Sequence, residues 1–204
     1  MNNQKPTITL GFTPERFPAG VHICQIFSED SEREEAMLQY LQSGLASGER
    51  TCCFSDKAVA PVVEKHLACH GVSYGERCAC GDLTMASTKD IYFKDDCFDP
   101  ERMLETLTKY HEDSVSQGYP AARVIGEMSP EIQHVRGGSR LLEYESKVSL
   151  LQREHPVTCV CQYDARSFDG AMIMDVLKVH PLMVIRGAVV RNPFFVPPEE
   201  FLSR

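Results

Sequence analysis

Apolar positions along this chain switch repeatedly between a short unbroken run and a helical period. Val21-His22-Ile23-Cys24-Gln25-Ile26-Phe27 is a compact run bounded by Gly20 and by Ser28-Glu29-Asp30, and it predicts a buried strand. From Ser31 onward Ala36, Met37, Tyr40, Leu41 and Leu45 recur at helical spacing, with Glu32, Glu34 and Glu35 in the first turn, where the helix dipole favours acids. Arg50 to Ser55 predicts a second strand, and Ala58 to Cys69 a helix stopped at Gly71. Cys78 to Met85 is the candidate for a third strand, followed by a polar, aromatic-bearing loop from Lys89 to Asp99. Asp99-Pro100 suits a cap and first turn, and opens a helix through Leu104, Leu107, Tyr110 and His111 that ends near Gly118. Ala121 to Glu127 and Val157 to Tyr163 predict strands, while Ser139 to Glu154 and Asp169 to Val179 predict helices. Leu182 to Ile185 and Ala188 to Val190, joined around Gly187, form a terminal strand pair.

Strands alternating with helices, several of them apolar on both faces, imply an α/β fold with a mostly parallel sheet covered by helices on both sides. Residues 20–204 suffice for one domain, and residues 1–19, marked by Pro6, Pro14 and Pro18, read as a loosely packed N-terminal arm. Parallel sheets bind ligands outside the carboxyl ends of their strands, which marks Phe27 to Asp30, Glu127 to Ser129 and Tyr163 to Arg166 as a functional rim.

Charge narrows the function. A formal net charge of -8 argues against a phosphate-binding surface and hence against direct nucleic-acid binding. The start lacks a charged region followed by an apolar one, and no window nears 18 apolar residues, so a cytoplasmic protein without a membrane anchor is expected. Nine cysteines in such a compartment are expected to be free thiols, most of them small buried hydrophobes.

Several stretches in order resemble the MEDS domain, the sensory domain of methanogens, methylotrophs and the dichloromethane-metabolism regulator. Gly20-Val21-His22-Ile23-Cys24 is similar to its His-x-Cys signature; Gly44-Leu45, Gly48-Glu49, Gly126-Glu127-Met128, Cys161-Gln162-Tyr163-Asp164, His180-Pro181 and Asn192-Pro193 follow. The resemblance implies a RecA-like fold that has lost its nucleotide site, and a role in sensing simple hydrocarbon or one-carbon derivatives. The residues agree on the loss, because Ser28-Glu29-Asp30-Ser31-Glu32 stands where a phosphate loop would need glycines, a lysine and a hydroxyl. Members of the family are often fused to kinase or DNA-binding modules, whereas here the domain takes up most of the chain. Output in signalling or transcriptional regulation is therefore expected through a protein partner or a homodimer.

His22 and Cys24, two apart on a strand, face the same side and are candidates for a ligand or transition-metal site; the alternative is a satisfied buried histidine beside a packing cysteine. A RecA-like order would set the first strand between those at Val157 and Leu182, bringing Cys161 and His180 into reach of the pair. His155-Pro156 reads as turn punctuation. Cys52-Cys53 point to opposite faces, and Cys78-x-Cys80 lacks zinc-knuckle spacing. Glu127 and Asp164 would form the polar floor of a rim pocket with Phe27, Met128 and Tyr163 as apolar walls; the alternative pairs Glu127 with Arg136 or Arg166. The leading expectation is a non-catalytic small-molecule sensor. Its rivals are a ligand-free interaction module and, third, an enzyme or redox sensor using a metal or a thiolate at Cys24 or Cys161.

Overall fold

The computed structural model describes residues 5–203. In chain order the elements are β1 (Thr7–Thr9), β2 (Arg16–Pro18), β3 (His22–Phe27), α1 (Asp30–Ala46), β4 (Arg50–Phe54), α2 (Ala60–Cys69), α3 (Tyr74–Cys80), β5 (Leu83–Ala86), α4 (Thr88–Tyr92), α5 (Pro100–Ser116), β6 (Ala122–Glu127), α6 (Leu141–Glu154), β7 (Val157–Asp164), α7 (Gly170–Val179), β8 (Leu182–Ile185), β9 (Ala188–Arg191) and α8 (Pro198–Phe201). Short 3-10 turns precede α5 and α6.

Seven strands form one sheet in the order β5-β4-β6-β7-β3-β8-β9, parallel throughout except for the β8–β9 hairpin. Its core strands are apolar on both faces because two helical layers cover them. On one side α4, α5, α6 and α7 pack over Cys24, Cys52, Val124, Cys159 and Tyr163. On the other α1 and α2 pack over Ile23, Cys53, Ile125 and Val160. Cys52 and Cys53 thus face opposite layers, as strand alternation requires.

Three stretches differ from their sequence reading. Cys78 and Cys80 lie in α3, where the Ser73 side chain caps the Glu76 amide and Gly81 closes the turn; no residue of that helix is buried, so it carries no apolar stripe to read. The stretch from Lys89 to Asp99 is part of the core, with Tyr92, Phe93 and Phe98 buried. The N-terminal lead forms the β1–β2 hairpin and buries Ile8 and Leu10 against α1's layer.

That hairpin is tied down by Arg123, which is fully buried in the middle of the sheet. Its guanidinium makes a two-pronged contact with Glu49, donates to the Tyr40 carbonyl at 3.1 Å and to the Thr9 carbonyl at 3.0 Å, and lies 4.7 Å from the Tyr40 ring centre. Room for it exists because residue 44 is glycine: a Cβ there would stand 2.7 Å from the Arg123 side chain and 2.6 Å from Thr51 Oγ1. Gly126 serves the other face, since a Cβ would stand 2.8 Å from the Tyr92 hydroxyl.

Candidate functional site

Two polar constellations arise from the sheet, one inside it and one at its rim. Register creates the first. His22 lies opposite Cys159 and Cys24 opposite Cys161, while β8 flanks β3 on its other side, with His180 immediately before it. Side chains of even number on β3 and odd number on β7 therefore share the α6–α7 face. There His22 Nε2 stands 3.5 Å from Cys161 Sγ, and the rings of His22 and His180 are 4.2 Å apart.

Into the same space α6 sends Glu145, 1% exposed. Its Oε2 lies 3.2 Å from His22 Nε2, 3.5 Å from His180 Nε2 and 3.6 Å from Cys161 Sγ, while its Oε1 accepts a 2.5 Å bond from the Tyr163 hydroxyl. One potential ligand atom from each of His22, Glu145, Cys161 and His180 falls within 4.8 Å of all the others. Cys24, expected in this group, stands apart: its thiol points to the Leu182 carbonyl at 3.7 Å, and Glu145 takes the place assigned to it. Glu145 had a signal of its own. Leu141, Glu145, Val148 and Gln152 form the buried stripe of α6, and an acid in an apolar stripe needs a partner.

Burial, and then the neighbouring His180, lower the His22 pKa to about 4, against the pull of Glu145. For Glu145 burial acts upward, but hydrogen bonding and charge from His180 and His22 outweigh it and hold the carboxyl well below the usual range. Burial pushes the Cys24 thiol up to about 12 and Cys161 well above its ordinary value, so neither is a free thiolate at neutral pH.

The second constellation sits at the carboxyl ends of β4, β6 and β7. Glu127 accepts a 2.8 Å bond from the Ser55 hydroxyl, and Lys57 places its ammonium 2.7 Å from Glu127 Oε1 and 3.6 Å from Asp164 Oδ2. Arg166 does not reach Glu127; it grips Asp164 with two 2.8 Å bonds and reaches Asp30 at 2.9 Å. Arg33, 3% exposed, stands 3.7 Å behind Glu127, with Nε and Nη1 lacking hydrogen-bond partners. Lys57, Glu127 and Asp164 border a pocket of about 270 Å³ that also includes Met128 and Pro130. Phe27 lies beneath, its ring centre 5.6 Å from the Lys57 ammonium. Tyr163 is not a wall of this pocket: strand alternation turns it to the opposite face, onto Glu145.

Between α1 and the β8–β9 hairpin lies a wider cleft of about 520 Å³, lined by Glu29, Glu32 and Glu35. It opens beside the turn after β3, where acids would repel a nucleotide's phosphates.

A parallel sheet with β3 inserted between β7 and β8, and helices on both faces, is a RecA-like architecture. The flagellar accessory protein FlaH of Methanocaldococcus jannaschii superposes with a TM-score of 0.58 at 10% identity, over 85% of this chain and 76% of that one. A Pyrococcus horikoshii protein solved with an unknown peptide gives 0.57 at 13%, over 85% and 82%. A KaiC-like protein of Pyrococcus horikoshii OT3 gives 0.51 at 14%, over 73% and 63%. Identities of this order speak to fold alone. The family is set by the sequence: the chain belongs to the MEDS family, the methanogen/methylotroph, DcmR sensory domain, whose model matches residues 21–181. No curated protein matches it. No helix among the described residues is long and apolar enough to cross a membrane.

Proposed function

We propose that the chain is a small-molecule sensor that reads its ligand in the rim pocket, and that the ligand is a one-carbon or short hydrocarbon derivative with an ammonium or similar donor group. The observation that carries this reading is Lys57, whose ammonium lies between Glu127 and Asp164 at the pocket mouth while its side chain is 45% exposed. Such a half-exposed ammonium is held by charge rather than by burial. A small ligand ammonium with its alkyl group against Met128 and Pro130 competes for the same carboxylates. Displacing Lys57 frees the segment between β4 and α2, which is the conformational signal. Output then passes to a regulatory protein or a second copy, for which Ile185, Val190 and Phe194, exposed on and beyond the β8–β9 hairpin, offer apolar surface.

Thermal unfolding with methylammonium, methanol and dichloromethane tests the reading. A ligand at a hundredfold its Kd adds about 2.7 kcal/mol, or roughly 5–11 °C in Tm for a chain of this size. Methylammonium is expected to raise Tm in the native protein and not in Glu127→Gln. A shift retained in that variant, or no shift with any of the three at millimolar concentration, overturns the proposal.

A further inference from the structure

The buried group around Glu145 leaves its polar atoms incompletely matched. His180 Nδ1 lies 2.8 Å from the Val176 carbonyl, which can only accept, so Nδ1 carries the hydrogen. That leaves Nε2, fully buried, to face a Glu145 carboxylate oxygen at 3.5 Å. An imidazole nitrogen and a carboxylate oxygen facing each other in an apolar layer need something electron-poor between them, a proton or a metal cation. The ion pairs of Glu145 among the described residues are with the two imidazoles alone; no lysine or arginine supplies the charge.

Geometry identifies what fits. Tetrahedral coordination at about 2.0–2.1 Å to nitrogen and oxygen, and about 2.3 Å to sulfur, sets the nitrogen–oxygen edges near 3.3–3.4 Å and the edges to sulfur near 3.6 Å. Observed nitrogen–oxygen separations are 3.2 and 3.5 Å, and those to sulfur 3.5 and 3.6 Å. We propose that His22, Glu145, Cys161 and His180 form a closed, four-coordinate site for one divalent metal of the zinc class. On binding, the Cys161 S–H bond breaks, its proton leaves to solvent and the sulfur electron pair forms the metal–sulfur bond; no oxidation state changes. One thiolate and one carboxylate then cancel the dication, so the buried centre carries no net charge. Outer contacts hold the ligands in place: Ser149 Oγ lies 3.0 Å from His22 Nδ1, the Val176 carbonyl orients His180, and the Tyr163 hydroxyl engages Glu145 Oε1. With four protein ligands the ion is a cross-link between β3, α6, β7 and the segment joining α7 to β8, and it stands independently of ligand reading at the rim.

The test uses the whole chain prepared without a histidine tag. Metal analysis is expected to find about one zinc-class ion per chain. Replacement by Co²⁺ should give tetrahedral ligand-field bands and a thiolate-to-cobalt charge-transfer band. Cys161→Ser removes that charge-transfer band and Cys24→Ser keeps it, while Glu145→Gln, which takes away a charged ligand, weakens affinity by more than the roughly 10–100-fold that losing an outer contact costs. X-ray absorption on the native zinc or cobalt form needs no variant, and should show one sulfur and three nitrogen or oxygen neighbours. A folded native protein that neither contains metal nor binds Co²⁺ or Zn²⁺ at micromolar concentration overturns the site. So does a metal with no sulfur neighbour, or a charge-transfer band that survives in Cys161→Ser.

Discussion

Replacing Glu49 by alanine leaves the Arg123 guanidinium inside the sheet with two backbone acceptors and no counter-charge. Glu49 is 2% exposed and Arg123 fully buried, so water cannot take over the lost contacts. Breaking one side of a buried pair costs about 3–5 kcal/mol. For a chain of this size each kcal/mol moves Tm by about 2–4 °C, giving an expected fall of roughly 6–20 °C. Glu49→Gln keeps one acceptor for the guanidinium but loses the charge and the second acceptor, so its Tm should lie between native and alanine. The paired change Arg123→Met with Glu49→Leu should regain part of the loss, since an apolar pair avoids the stranded charge. Full recovery is not expected, because Arg123 also holds the Tyr40 and Thr9 carbonyls. Calorimetry with urea unfolding at constant m is the assay. Glu49→Ala melting within about 2 °C of the native protein would refute the reasoning, since that change is below the cost of 1 kcal/mol.

Two further outcomes follow from the charged and thiol groups. The Arg166 hydrogen bonds hold the Asp164 carboxyl well below the usual range, so this contribution is present above the unfolded carboxylate value near 3.9 and is lost as pH falls through the folded one. Arg166→Gln should flatten the acid limb of urea midpoints measured from pH 7 to about pH 3, and an unchanged limb would contradict this. In native protein, alkylation followed by mass spectrometry should modify Cys69 and Cys80 first, with Cys24, Cys52, Cys53 and Cys159 reacting only on unfolding. Early labelling of Cys24 would argue for an accessible, activated thiol there.

What could be read beforehand depended on regular spacing. Strand parity and strand order together placed His22 beside β7 and His180 near both, because a two-residue period and a known neighbour leave little freedom. Glu145 was hidden by the habit of reading a helical acid as solvent-facing; only its place in the Leu141, Val148, Gln152 stripe distinguished it. Tyr163 was misplaced against that same parity, since residues 159, 161 and 163 must share a face. Lys57 and Arg33 were missed at the rim, where loop and helix-end geometry set contacts that no periodicity encodes. The aromatics at Tyr92, Phe93 and Phe98 looked like a loop because α4 has only five residues, too few to show a period.

Strand order also governs when the molecule can assemble during synthesis. β3 emerges early, yet both of its neighbours, β7 and β8, are among the last strands made, and the contact between His22 and Cys161 spans 139 positions. Until those strands leave the ribosome, both edges of β3 stay unpaired, and closing so long a loop must precede the pairing that rewards it. A nascent chain carrying β3, α1, β4 and β6 therefore presents an exposed apolar strand, which is a substrate for chaperones and a nucleus for aggregation rather than a half-built domain. Stalling translation before β7 should leave β3 accessible to proteases, while β4 and β6, already adjacent, can pair.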